Sequence, residues 1–243
     1  MLHNGAQAIV VDPGDAQPVK EALQHYQLQL SAILVTHHHA DHVAGIEVLR
    51  PLLNGKVYGP AKENIPKPYE PVQEGDTLSL LGLQIQVLDV PGHTAGHVAY
   101  YLSEQSGLSE GIVFSGDALF SGGCGRIFEG TPAQMWHSLE KLNALPGQTR
   151  VCSAHEYTLS NLRFARAVEP DNQAILDYQV RCQKLRDENQ PTLPSSIKLE
   201  QAVNPFLRVK EPSVIRAAQA YDPSAQDDTS VFTAIRKWKD NFK

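Results

Sequence analysis

Residues 36 to 42 read THHHADH, which puts four of the chain's ten histidines and one aspartate into seven positions. Imidazole nitrogens and carboxylate oxygens are ligands for zinc, iron and manganese. In extended backbone, side chains two apart point the same way, so His37 and His39 can converge on one ion while His38 points elsewhere. Asp41 and His42 lie one step further on, at the expected start of a helix, and can reach a second ion. The spacing therefore favours two metals, with His38 as the bystander.

Two or three ligands do not complete a site, and the sequence offers more in a consistent setting. His93 follows QVLDVPG, Asp117 follows IVFSG and His155 follows VCSA, each just past an apolar strand-like run, as His37 itself follows AILV. Strands of one sheet can bring such ends to a common edge. Each residue alone has a plainer reading. A lone histidine after a strand commonly packs or lies on the surface, and an aspartate in SGD can be a turn residue. Together with the cluster, the metal reading prevails. His97, in PGHTAGH, reads as a supporting residue, and Thr36 and Thr94 can orient their neighbours. His3, His25 and His137 have no donor company and read as surface or packing residues.

The elements that must position these donors follow from periodicity and breakers. AIVV (8 to 11) ends at the turn signal DPGD, a short helix is predicted from Pro18 to His25, and AILV (32 to 35) runs into the histidine cluster. Val43, Ile46, Leu49 and Leu53 predict one helix stopped near Pro51. KVYG, DTLSL, LQIQVLDV, HVAYYL, IVFSGD and RVCSAHE are strand candidates. Thr131 followed by Pro132 is an N-cap and first-turn pair for a helix through Leu142. From Thr158 onward the pattern is helical, with Ile175, Tyr178, Cys182 and Leu185 on one stripe and two more short helices after it. The expected boundary separates an α/β body, residues 1–165, from a small helical domain, residues 166–243.

Composition bounds the function. At 243 residues, with 42% hydrophobic and 20% charged residues, the chain can bury a sizeable core. A net charge of -6 offers no basic face for nucleic acid. There is no apolar run of about 18 residues to span a bilayer. The start MLHNGAQAIVVDPGD lacks the charged and apolar regions of a signal peptide, so a cytoplasmic location is expected; separately, a monomer acting on a small-molecule substrate is expected. Cys124, Cys152 and Cys182 are odd in number and widely spaced, which predicts reduced thiols. Cys124, in SGGCGR, has no partner base in the sequence and is not read as a nucleophile.

The motif HHHADH contains the HxHxDH signature of the metallo-β-lactamase superfamily, with PGHTAGH, SGD and SAHEYT at its later ligand positions. More narrowly, LFSGGCGRIFEGTPAQM, AHEYTLSNLRFA, NPFLRV and the tail RKWKDNFK resemble the hydroxyacylglutathione hydrolase (glyoxalase II) family over almost the whole chain. The resemblance implies an α/β (α+β) fold, a four-layer αβ/βα sandwich followed by a small C-terminal helical domain. It implies two divalent metal ions per chain, zinc first, with iron or manganese as substitutes. His37, His39 and His93 would hold one ion, Asp41, His42 and His155 the other, and Asp117 would bridge them. The implied reaction is hydrolysis of the thioester S-D-lactoylglutathione by a hydroxide generated at the metals, with Asp117 and Asp41 as the carboxylates of the catalytic centre. Arg126, Phe128, Tyr157, Arg236 and Lys239 are the implied substrate-binding residues. Some family members have lysine and tyrosine where this chain has Arg126 and Phe128, so the charge is kept and a phenolic hydrogen bond is lost. The family also usually carries a strand before the one matching AIVV, where this chain has only MLHNGAQ. Competing readings are another hydrolase of the superfamily, a mononuclear iron enzyme acting on glutathione persulfide, and a non-catalytic metal- or glutathione-binding module.

Overall fold

The computed structural model describes residues 1–106 and 108–242; Lys243, the end of the RKWKDNFK tail, lies outside the described residues. Contacts between backbone positions divide the chain into two compact units, residues 1–89 with 95–116, and residues 90–94 with 117–243.

In the first unit, β1 (Leu2–His3), β2 (Gln7–Val11), α1 (Ala16–His25), β3 (Gln29–Leu34), α2 (Ala40–Val43), α3 (Ile46–Leu49), β4 (Leu53–Pro60) and β5 (Glu70–Val72) come first. Strands β2 to β5 are parallel neighbours in that order, and β1 pairs antiparallel with β2. A two-residue strand thus occupies the place ahead of AIVV. Ala32, Ile33 and Leu34 are all fully buried, as befits a parallel strand covered on both faces. Then β6 (Thr77–Leu80), β7 (Leu83–Asp89), β8 (Val98–Leu102) and β9 (Ile112–Gly116) form an antiparallel meander. In β7, Ile85 and Val87 are buried while Gln84 and Gln86 face outward, the alternation of a half-solvated strand.

Two helices differ from expectation. Helix α1 starts at Ala16 because Asp15 accepts the Gln17 N–H, and Pro18 sits in the first turn, where a missing N–H costs nothing. The helix expected around residues 43 to 53 is broken into α2, α3 and a 3-10 turn, with Leu53 already in β4. Gly45 causes the break. Its N–H donates to the Pro13 carbonyl, and a Cβ there would lie 2.4 Å from that oxygen.

The second unit holds β10 (Leu119–Phe120), β11 (Gly123–Cys124), α4 (Pro132–Asn143), β12 (Arg150–Ser153), α5 (Thr158–Val168), α6 (Gln173–Asp187), β13 (Ser195–Ser196), α7 (Ile197–Val203), α8 (Pro212–Tyr221) and α9 (Asp228–Asn241). Helix α4 begins as the sequence predicts, with a reciprocal capping box between Thr131 and Gln134. Ile175, Tyr178 and Cys182 bury the α6 stripe against Leu162, Ala165 and Val203, whereas Leu185 is half-buried. The tail carries three helices rather than two short ones, and α9 runs 14 residues. Residues 90–94 belong with this unit because Phe128 N–H donates to the His93 carbonyl, Gly130 N–H to Gly92, and the Ser138 hydroxyl to Pro91. The division by compactness therefore does not fall at residue 165. All three cysteines are free thiols. Among the described residues no helix is long and apolar enough to cross a membrane.

Candidate metal centre

The histidine cluster leaves β3 and is oriented by Asp12, which in the string DPGD reads as a turn residue. Asp12, just past β2, accepts the Thr36 N–H at 2.7 Å and the Thr36 hydroxyl at 2.6 Å. With its proton given to Asp12, the Thr36 oxygen accepts from His37 Nδ1–H at 3.0 Å. The His37 lone pair is then on Nε2. Asp12 also accepts from His42 Nδ1–H at 3.0 Å, so the His42 lone pair is on Nε2 as well. Asp12 lies within 4.8 Å of His37 and His42 as a donor group, but it sits on their protonated side and supports rather than ligates. Its φ of 49° is left-handed, a conformation that aspartate tolerates better than most residues.

His37 Nε2 lies 3.1 Å from His39 Nδ1, so the two nitrogens converge as alternation requires. His38 is turned to a different task. Its backbone N–H and its ring both donate to Glu63, whose other oxygen accepts the Gly96 N–H at 2.9 Å. Asp41 is exposed in the first turn of α2, with a carboxylate oxygen 3.7 Å from His42 Nε2. His97 is fully buried and stacks on His37 at 4.7 Å, the supporting place expected of it.

The second unit builds its own donor group. Asp117 follows β9 and is almost buried, with one carboxylate oxygen 3.5 Å from His93 Nε2 and the other 3.6 Å from His155 Nε2. Two ligands each about 2.1 Å from one ion at a tetrahedral angle lie about 3.4 Å apart. Each oxygen of Asp117 thus faces one histidine at the separation of ligands on a common ion. His93 Nδ1–H donates to the Arg126 carbonyl at 2.8 Å, which fixes its lone pair on Nε2. The loop reaches that position because residue 125 is glycine. A Cβ there would lie 2.0 Å from the Asp117 carbonyl oxygen and 3.1 Å from His93 Nδ1.

The residues expected to bind substrate cluster in the same unit. Phe128 is exposed and meets the His93 ring edge-on at 5.2 Å. Tyr157 stacks on His155 at 5.2 Å and is itself flanked by Phe120. Arg126 is exposed, whereas Arg236 is buried, donating to the Cys124 carbonyl at 3.0 Å and to Asp240 at 2.9 Å. Arg236 therefore ties α9 to the glycine loop, which a basic helix end read from sequence does not reveal. Lys239 is half-buried, donates to the Ser160 carbonyl, and has its pKa pushed down to about 8 by burial first and then by Arg236, Arg163 and Arg126. Asp240 offsets part of this positive charge, lying 2.9 Å from Arg236 and 3.9 Å from Arg126.

A family model described as the metallo-beta-lactamase superfamily matches residues 1–155, and one described as the hydroxyacylglutathione hydrolase C-terminus matches residues 156–242. A hydroxyacylglutathione hydrolase of Albidiferax ferrireducens is 56% identical over 242 residues, covering 100% of this chain and 94% of its own. One from Nitrosomonas europaea is 49% identical, covering 100% and 91%. Among solved structures, BLEG-1 B3 metallo-beta-lactamase shares the fold at a TM-score of 0.63 and 24% identity, covering 85% of this chain and 91% of that one. TTHA1623 in a di-iron-bound form is similar at a TM-score of 0.56 and 30% identity, covering 82% and 88%.

Proposed function

Since the chain belongs to the hydroxyacylglutathione hydrolase family of the metallo-β-lactamase superfamily, we propose that it cleaves S-D-lactoylglutathione and related S-2-hydroxyacylglutathiones. The products are glutathione and the free 2-hydroxy acid, the second step of methylglyoxal detoxification. The chain is a hydrolase with the α/β metallo-β-lactamase fold and a helical C-terminal region. In our reading residues 1–165 form the catalytic domain and 166–243 a helical domain that adds to substrate binding, a division supported by the two family matches meeting at residues 155 and 156.

The reading assigns His37, His39 and His93 to one divalent ion, Asp41, His42 and His155 to a second, and Asp117 to both. Nitrogen and carboxylate donors without thiolate suit zinc, iron or manganese. The observation that carries it is Asp117, which turns one oxygen to His93 and the other to His155. When bound, such ions would lower the pKa of water toward neutrality, supplying a hydroxide nucleophile, and would act as Lewis acids toward a carbonyl oxygen. The chain's residues do the rest. Asp12, Thr36 and the Arg126 carbonyl hold three ligand histidines in the tautomer that presents Nε2. Arg126 and Lys239 attract the carboxylates of the glutathione tail, while Tyr157 and Phe128 give it apolar walls. Water that has lost one proton to solvent adds as hydroxide to the thioester carbonyl, the C–S bond breaks, and the sulfur leaves as thiolate and takes a proton from solvent.

The test is release of free thiol from S-D-lactoylglutathione by metal-replete protein, beside a β-lactam and a lactone as competitors. A folded Asp117→Asn variant is expected to lose more than about a hundredfold in turnover, the upper end of what a lost supporting residue costs. Near-normal turnover in that variant, or faster cleavage of the lactam or lactone, overturns the assignment.

A further inference from the structure

The loop from Phe120 to Arg126 is held by side chains of the C-terminal helices. Asn204, after α7, donates through Nδ2 to the Phe120 and Gly123 carbonyls, Asn161 on α5 donates to Ser121, and Arg236 on α9 donates to Cys124. Four of the five carbonyls from Phe120 to Cys124 are thus bonded by side chains from outside the loop.

At the centre is Glu200 on α7, fully buried and the only carboxylate in the group. One of its oxygens accepts the Gly122 N–H at 2.7 Å and Asn204 Nδ2–H at 3.0 Å. The other accepts the Ser121 hydroxyl at 2.9 Å, and the Ser121 oxygen in turn meets the Tyr178 hydroxyl of α6 at 2.9 Å. Burial pushes the Glu200 pKa up, and these donors work against that. A buried carboxylate stabilises a fold no more than a well-packed apolar side chain of its volume. What it adds is direction, because its acceptors fix two consecutive loop residues. Four residues further on, the same loop delivers the Arg126 carbonyl to His93 Nδ1 and the Arg126 side chain toward the substrate.

We infer that Glu200 is a positioning residue for the reaction: it anchors Ser121 and Gly122 so that the loop presents Arg126 to His93 through its carbonyl and to the glutathione tail through its guanidinium. The helical region then acts on the metal ligands as well as on the substrate. This rests on the metal reading above.

The variant Glu200→Gln keeps size but turns an N–H2 toward a donor. In zinc competition with a chromophoric chelator, it is expected to bind zinc about tenfold more weakly, with a Michaelis constant for S-D-lactoylglutathione raised about fivefold at saturating zinc. Leu23→Ala, in the buried core of the first unit, lowers the melting temperature but leaves both within about twofold. Equal zinc affinity and Michaelis constant in Glu200→Gln and wild type overturn the inference, as does an equal response of Leu23→Ala. Should Glu200→Gln not fold, Ser121→Ala removes a single donor and is expected to move both quantities about threefold in the same directions; no movement overturns the inference. A wild-type protein that binds none of zinc, iron and manganese overturns the metal reading and this inference together, whereas metal-binding wild type beside an indifferent variant overturns this inference alone.

Discussion

Lys239 shows how one residue can carry a pH dependence. Its proton is held more weakly than a free lysine's, because burial and the cations Arg236, Arg163 and Arg126 all disfavour the ammonium, leaving a pKa of about 8. Asp240 is the acidic group of the neighbourhood, and it is engaged by Arg236. As pH rises through about 8 the ammonium is lost, and in the proposed reaction the glutathione carboxylate loses a partner. A hydrogen bond to a charged group contributes about 1.5 kcal/mol, close to tenfold. The Michaelis constant for the glutathione thioester should therefore rise several-fold between about pH 7 and about pH 9, while Lys239→Met starts high and stays flat. A wild-type profile as flat as the variant's removes Lys239 from substrate binding. Residue types and spacing made the donors legible, since THHHADH announces itself. Asp12 was not legible, because an aspartate in DPGD looks like a turn until the fold brings it to Thr36 and His42.

At the scale of elements, the ends of helices decide how the second unit is joined. Glu169, the C-cap of α5, accepts two bonds from Arg208, at 2.7 and 3.0 Å, and one from Ser213 on α8 at 2.6 Å. Burial alone would raise its pKa, but the Arg208 and Ser213 hydrogen bonds prevail and lower it. A carboxyl depressed in the folded state contributes stability above its unfolded pKa of about 4.5, and that contribution fades as pH falls through the lower folded value. Glu169→Ala should cost about 3 kcal/mol at neutral pH by leaving Arg208 without its partner, and the gap from wild type should narrow in acid. Urea midpoints of both proteins at neutral and acid pH measure this; a gap independent of pH refutes the linkage. Capped helices such as α4 were readable from Thr131 and Pro132, because caps are local. The break between α2 and α3 was not, since Gly45 gives its N–H to Pro13, far back in the chain.

For the whole molecule, metal binding and folding should be linked. Ions present at about a thousand times their dissociation constant stabilise the folded state by about 4 kcal/mol. In a chain of this length that corresponds to a melting temperature about 10 °C higher. Chelation should lower it by about that amount and abolish thiol release, with both restored by zinc; an unchanged melting curve would mean that the donors are not filled.

By itself the sequence determined the donor types, the strand-then-donor rhythm, the capped helices and the family. All of these are written within a few neighbouring positions or in motifs that survive as strings. Only the tertiary structure decided which partner each of His37, His42 and His93 turns its Nδ1 toward and which side chains hold the loop at Arg126. Those outcomes depend on hydrogen bonds between residues 24, 30 and 33 apart, and on Glu200 reaching Gly122 across 78 positions. No local pattern encodes such distances, because a carboxylate's partners are set by where the chain returns, and that is decided by the packing of the elements between.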